Sequence, residues 1–164
     1  MNWVETCTFG DLLVRAADRW PDHPSIVFPA ERHTYGSLLA AAVDAARSLL
    51  GLGVERGDHV GILMPNCMDF VEVLFGAQLI GARVIPINSR FKGQELTYVV
   101  ENADLRVLVT SDIVDQFTDY VEILSGCLTG LPEAPDPRAL DLAVAPRLQS
   151  VVLLGSKSPA GMVD

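Results

Sequence analysis

Phosphate chemistry is the first possibility to test, because two segments of the 164-residue chain combine glycines with polar residues. A turn that cradles pyrophosphate needs a strand, then glycines, then a helix N-terminus whose free N–H groups face the anion. GLGVERG (51–57) has the spacing G-x-G-x-x-x-G and follows a helical pattern, so it reads as a helix end running into a turn. GSKSPAG (155–161) follows an apolar run and carries serines, a lysine and two glycines. No Lys-Ser or Lys-Thr follows its second glycine, so it is not a Walker loop and reads as surface loop.

Nucleophilic and metal chemistry fare no better. His23 lies beside Pro24, His33 falls in a turn and His59 opens an apolar run; none has a Ser, Cys or carboxylate at triad or metal-ligand spacing. Ser37, Ser48 and Ser89 lack a G-x-S-x-G setting. Cys7, Cys67 and Cys127 stand 60 residues apart, and an odd number of cysteines suggests free thiols in a reducing compartment. Asp112, Asp115 and Asp119 are three and four apart, the pattern of a solvated helix face. Asn66, Asn88 and Arg90 are harder to set aside. Asn66, with Asp69 three residues on, suits a helix cap. Asn88 and Arg90 follow an apolar run, where a polar side chain can either pin a loop or face a ligand.

These residues gain meaning from the elements that hold them. Thr8 with Asp11 reads as a capping pair ahead of a helix with Leu12, Leu13, Ala16, Ala17 and Trp20 on one face, which Pro21 stops. Ser25–Phe28 reads as a short strand, PAERH as a turn, and Thr34 as the cap of the helix YGSLLAAAVDAARSLLG. His59–Met64 is a near-continuous apolar strand of the kind buried on both faces. A mostly apolar helix opened by Asn66 and carried by Phe70, Val71, Leu74, Phe75, Ala77 and Leu79 to Gly81, a strand over Arg83–Ile87, the helix KGQELTYVVENAD and the strand LRVLVTSD follow. DIVDQFTDYVEILSG reads as one further helix, LPEAPDPRALDLAVAPR as a connector and QSVVLLG as the last strand. Strands alternating with helices imply right-handed crossovers and a largely parallel α/β sheet with flanking helices. Ligands bind such sheets beyond the carboxyl ends of the strands. Met64-Pro65-Asn66, Ile87-Asn88-Ser89-Arg90 and Thr110-Ser111-Asp112 all occupy that kind of position.

Composition narrows the classes. A hydrophobic fraction of 49% supplies a core, and a net charge of −9 argues against nucleic acid as a partner. The most apolar stretch, residues 70–87, contains Glu72, Gln78 and Arg83 and is broken by Gly76, Gly81 and Pro86. A spanning helix wants roughly 20 nearly uninterrupted apolar residues, so no transmembrane segment is expected. The start, MNWVETCTFGDLL, has an early Glu5 and no basic lead, unlike a signal peptide. A cytoplasmic protein is expected, with peripheral membrane association open.

In their joint order, several pieces resemble the N-terminal part of the adenylate-forming acyl-CoA synthetases. They are T-Y before the first long helix, G-V-E-R-G-D-H-V into a strand, L-M-P-N, F-x-x-x-L-F-G-A-x-x-I-G-A, and V-I-P-I-N-S-R-F followed by E-L. The resemblance runs continuously over residues 8–112. It implies that residues 1–164 are a partial N-terminal large domain of an acid–CoA ligase acting on a fatty or aryl carboxylic acid. ATP, Mg and coenzyme A would serve the parent enzyme, with acyl-AMP as the intermediate. The family's T-S-G-T-T-G-x-P-K-G phosphate loop is absent, as are its acidic metal ligand, ribose-binding aspartate and C-terminal lysine domain. The resemblance thus assigns no catalytic residue and no metal ligand here, and leaves Asn66, Asn88 and Arg90 as rim residues of a substrate pocket. Some relatives hold the coenzyme A phosphate with basic residues after the strand matching LRVLVTSD; here Asp112, Asp115 and Asp119 stand in that place. The isolated chain is expected to be inactive and to self-associate through core surface left exposed. The other reading is a stand-alone α/β binding or interaction module without chemistry.

Overall fold

The computed structural model describes residues 7–164; the reading of residues 1–6 as free of a leader lies outside them. Thr8 opens helix α1 (Phe9–Arg19) by accepting from the Asp11 N–H at 3.1 Å while the Asp11 carboxylate accepts from the Thr8 N–H at 2.9 Å. Thr34 and Ser37 make the same reciprocal box at the start of α2 (Tyr35–Gly51). Between them, β1 (Pro24–Val27) and β2 (Arg32–Thr34) pair antiparallel as a separate two-stranded sheet. Part of the expected turn is therefore a second strand.

The main sheet contains β3 (His59–Leu63), β4 (Arg83–Pro86), β5 (Leu105–Ser111) and β6 (Ser150–Leu154), ordered β4-β3-β5-β6 and parallel throughout. The crossovers carry α3 (Met68–Leu79), α4 (Gly93–Asn102) and α5 (Tyr120–Cys127). Strand side chains alternate between two apolar layers, with one extra residue in β5 at Arg106 shifting the phase between Leu105 and Val107. Leu63, Leu105, Leu108, Val151 and Leu153 pack with residues of α4 and α5. Val60, Ile62, Val107, Val109 and Val152 pack with Val73 and Ala77 of α3. Burial of strands on both faces is what the near-continuous apolar runs demand. Among the described residues, no helix is long and apolar enough to cross a membrane.

Three expectations need correction. In α1 the buried residues are Gly10, Leu13 and Ala17, while Leu12 and Trp20 are 53% and 44% exposed. The core stripe is narrower than the apolar stripe and lies to one side of it. The segment 112–119 is not helical: it forms turns, and α5 begins only after Asp119, whose carboxylate accepts from the Glu122 N–H at 3.0 Å. Asp119 is thus a cap rather than part of a solvated helical face. Finally, α3 is capped in position by Cys67, and Asn66 lies exposed one residue earlier. Extended backbone at Cys67 (φ −143°, ψ 177°) delays the helix by one residue, which removes Asn66 from the capping position.

Small residues set the distance between helices. A Cβ at Gly76 of α3 would lie 2.8 Å from the Ala45 Cβ, 2.9 Å from the Ala46 nitrogen and 3.0 Å from the Ala42 oxygen of α2. Two of those neighbours are backbone, so they cannot rotate away. Gly76→Ala is therefore expected to destabilise the fold by about 1–3 kcal/mol through overpacking. Urea unfolding monitored by circular dichroism will show it as an earlier midpoint, and an unchanged midpoint would contradict this packing.

Candidate functional site

The carboxyl ends of all four parallel strands open on one edge, and the loops leaving them form the candidate site. Under that edge, the fully buried Thr110 hydroxyl donates to the Leu63 carbonyl at 2.7 Å, tying β5 to β3 where both strands end. After β3 the chain passes through Met64-Pro65-Asn66 to Cys67. Burial pushes the Cys67 thiol pKa up, outweighing the pull of the nearby Phe70 and Asp69 N–H groups, and the thiol donates to Met64 Sδ at 3.7 Å. It is a buried, protonated thiol rather than a nucleophile.

After β4, the Asn88 side-chain oxygen accepts from the Arg90 N–H at 3.0 Å, and the Asn88 carbonyl accepts from the Phe91 N–H at 3.0 Å. Asn88 thus pins its own loop. The loop is held from below by Tyr120, whose hydroxyl donates to the Ser89 carbonyl at 3.0 Å. Arg90 is exposed, and its guanidinium has no ion-pair or hydrogen-bond partner among the described residues. Asn66, Asn88 and Arg90 therefore share the edge at the ends of two adjacent strands, with Asn88 structural and Arg90 available.

The loops after β5 and β6 are clasped together, a feature that local sequence patterns do not signal. The Asp112 carboxylate accepts from the Ser156 N–H at 2.8 Å and its hydroxyl at 3.2 Å. Gly155 is needed for this approach, because a Cβ there would collide with the Asp112 carboxylate. Lys157 pairs with Asp115 and reaches Asp119 at 3.3 Å. The expected solvated face of three aspartates is instead a set of acceptors facing one serine and one lysine. The segment 155–161 is a surface loop, as expected, with its start tied to Asp112, Asp115 and Asp119.

Among the described residues, no group of three His, Cys, Asp or Glu side chains is placed to hold a metal ion. Lys157 pairs with Asp115 and Asp119, and Gly155-Ser156-Lys157 turns its polar groups toward aspartates rather than outward to a phosphate. These residues do not fit a Mg or triphosphate site.

The clasp carries a pH signature. The Ser156 N–H holds Asp112 below the usual carboxylate range, and the Glu122 N–H, followed by Lys157, does the same for Asp119. Asp115, then Asp119, raises Lys157. The aspartate contributions are complete above the unfolded value of about 3.9 and disappear as pH falls through the depressed folded values. The lysine contribution is complete below about 10.4 and is lost as pH rises through the raised folded value. Asp112→Ala is expected to lower the thermal midpoint at pH 7, and the gap from wild type should close progressively below about pH 3.9. A gap that persists unchanged into acid would show that the carboxylate's charge is irrelevant.

Comparisons with known proteins agree with this geometry. The family profile described as AMP-binding enzyme matches residues 13–154. YngI of Bacillus subtilis (strain 168), provisionally named an acyl-CoA synthetase, is 31% identical over 159 residues, covering 94% of this chain and 28% of that protein. The acyl-CoA ligase sidI of Aspergillus fumigatus is 35% identical over 103 residues, covering 62% of this chain and 18% of its own length. A solved protein of Rhodopseudomonas palustris, provisionally named a long-chain-fatty-acid CoA ligase, superposes with a TM-score of 0.75 at 28% identity, over 95% of this chain and 35% of its own. The anthranilate CoA ligase AuaEII, solved with anthranoyl-AMP, superposes with a TM-score of 0.77 at 21% identity, over 96% of this chain and 26% of its own, a likeness of fold. The chain spans well under half the length of each of these relatives. With the profile covering most of its length, from within α1 to the end of β6, the chain belongs to the AMP-binding enzyme family.

Proposed function

We propose that this chain forms the first part of the large domain of an AMP-forming acid–CoA ligase. In the parent reaction a fatty or aryl carboxylate attacks the α-phosphorus of ATP, releasing pyrophosphate. The coenzyme A thiol then attacks the acyl carbonyl of the acyl-adenylate and releases AMP. The observation that carries the reading is the carboxyl edge itself, an ordered rim of polar loops within a match to AMP-binding enzymes. Relatives named as acyl-CoA synthetases and ligases support the reaction class. Because the clasp residues of the carboxyl edge fit neither a metal nor a triphosphate, no step is assigned to them at the phosphorus. Their part is to shape the rim.

On this rim Asn88 orders the loop after β4, and Arg90 presents an exposed guanidinium to an anionic substrate group. Asn66 presents an exposed amide from the neighbouring strand end. A groove of about 330 Å³ between α2, α3 and the β5–β6 face, with Leu52 and Leu154 on its apolar floor and Asp44, Asp69 and Glu72 also lining it, is the surface through which the isolated chain would self-associate. Sedimentation over a rising concentration series should show the weight-average mass climbing; a constant monomer mass would oppose it.

The chain alone, given ATP, Mg²⁺, coenzyme A and a panel of fatty and aryl acids, should release no pyrophosphate above the blank. Robust turnover would overturn the assignment of the phosphate-holding parts to other segments. In the chain extended by the sequence that follows it in the gene, acid-dependent pyrophosphate release should appear. Arg90→Ala should then lower kcat/KM by about tenfold, the equivalent of about 1.4 kcal/mol of transition-state stabilisation. A stand-alone binding module would give no release in either form.

A further inference from the structure

The opposite edge of the sheet, where the parallel strands begin, carries a different chemistry. β4 begins with Arg83, β3 begins with His59, β5 has Arg106 as its second residue, and Arg147 precedes β6. The order of the strands is β4-β3-β5-β6, so these four residues stand in sequence along one edge. All four line a single cavity of about 370 Å³, together with Asp58, Asp104 and Gln149. Three arginines here come from a chain with 12 lysines and arginines in all and a net charge of −9, so the local charge runs against the global one.

The cationic groups are poorly satisfied by the protein. Arg106 Nε is buried and has no hydrogen-bond partner among the described residues. A Cβ at Gly53 would lie only 3.4 Å from the Arg106 Nη2 atom, so the turn after α2 closes over this guanidinium. Arg83 contacts His59 Nε2 at 3.3 Å, while His59 Nδ1 is 2.6 Å from the Ala103 carbonyl. That second contact requires Nδ1 to carry the proton, leaving Nε2 to accept from Arg83 when the ring is neutral. Asp58 accepts from the Glu55 N–H at 2.9 Å, and neither Asp58 nor Asp104 pairs with any of the three arginines among the described residues. Three guanidiniums lining one cavity repel one another, and an anion seated among them relieves that repulsion.

We infer that this amino-edge cavity is a binding site for a small molecule bearing a diphosphate or two separated phosphoryl groups. Guanidinium forks favour phosphoryl oxygens. Adjacent strands lie about 4.8 Å apart, so the edge from Arg83 to Arg147 spans roughly 14 Å, which suits a ligand with more than one anionic centre. The site lies a strand length from the carboxyl-edge rim, roughly 16 Å for β3, and is separate from it. The inference does not rest on the ligase reading, and its failure would leave that reading untouched.

Inorganic pyrophosphate is the probe, titrated into the full chain at constant ionic strength made up with chloride. The thermal midpoint should rise saturably, because a ligand that binds only the native state stabilises it. The Arg106 Nε–H resonance should move with the same apparent Kd, reporting negative charge placed beside that guanidinium. Arg147→Gln should weaken apparent binding about tenfold, and Arg83→Gln combined with Arg147→Gln should abolish it. Arg147 is exposed in the segment before β6, so the result does not depend on the more buried Arg106 tolerating change. Three outcomes would overturn the site: no saturable shift, an equal shift in the double variant, or citrate matching pyrophosphate.

Discussion

Everything in this molecule hangs from the β3–β5 ladder. These two strands occupy the centre of the sheet, and their side chains enter apolar layers on both faces. Parallel pairing forces the chain to cross over after each strand, and right-handed crossovers place helices on both sides of the sheet. It also sends every strand end of one kind to the same edge. The separation of the molecule into a carboxyl edge of pinned loops and an amino edge of arginines is therefore a consequence of strand direction. The residues on each edge merely exploit it.

Helix packing then fixes where those edges sit relative to the outer layer. The contact of Gly76 with Ala42, Ala45 and Ala46 draws α2 and α3 together, and Gly10 allows α1 an equally close approach to the Gln78 and Leu79 backbone. With backbone against backbone there is little room for sliding. The α3 N-terminus, and with it the loop carrying Asn66, is held by the same contact that closes the outer core of Leu13, Leu38, Ala42 and Met68. Packing far from the rim thus determines the rim's shape.

The sheet was legible because its signal is local and repeated: Val60, Ile62, Val107 and Val109 lie in short apolar runs separated by helical periods. The family resemblance was legible for the same reason, in runs of adjacent residues. Errors arose where two local signals competed. Ile113, Val114 and Phe117 have helical spacing, yet Phe117 is 82% exposed, and Asp119 ends the turn as a cap. Asn66 is a better capping residue than Cys67, yet burial of Cys67 won. The clasp was illegible because Lys157 and Asp119 are 38 positions apart, and each alone resembles a solvated charge. The amino-edge arginines were illegible likewise, since each is a single cation at the start of a different strand and only the strand order assembles them.

The outermost strands have a further effect. In β4, Arg83 donates inward to Asp58 and Ile87 donates inward to Ile62, so by alternation the peptide nitrogens of Val84 and Pro86 face away from the sheet. Proline has no hydrogen to offer, which leaves Val84 as the one outward donor within that strand. On the other side, Val163 covers β6, accepting from the Leu153 N–H at 2.8 Å and donating to the Val151 carbonyl at 2.8 Å. Both margins are blunted against templating by a foreign strand. Growth of this sheet into an extended cross-β stack is disfavoured at either margin, so contact between copies falls to side-chain surfaces, where it can remain reversible.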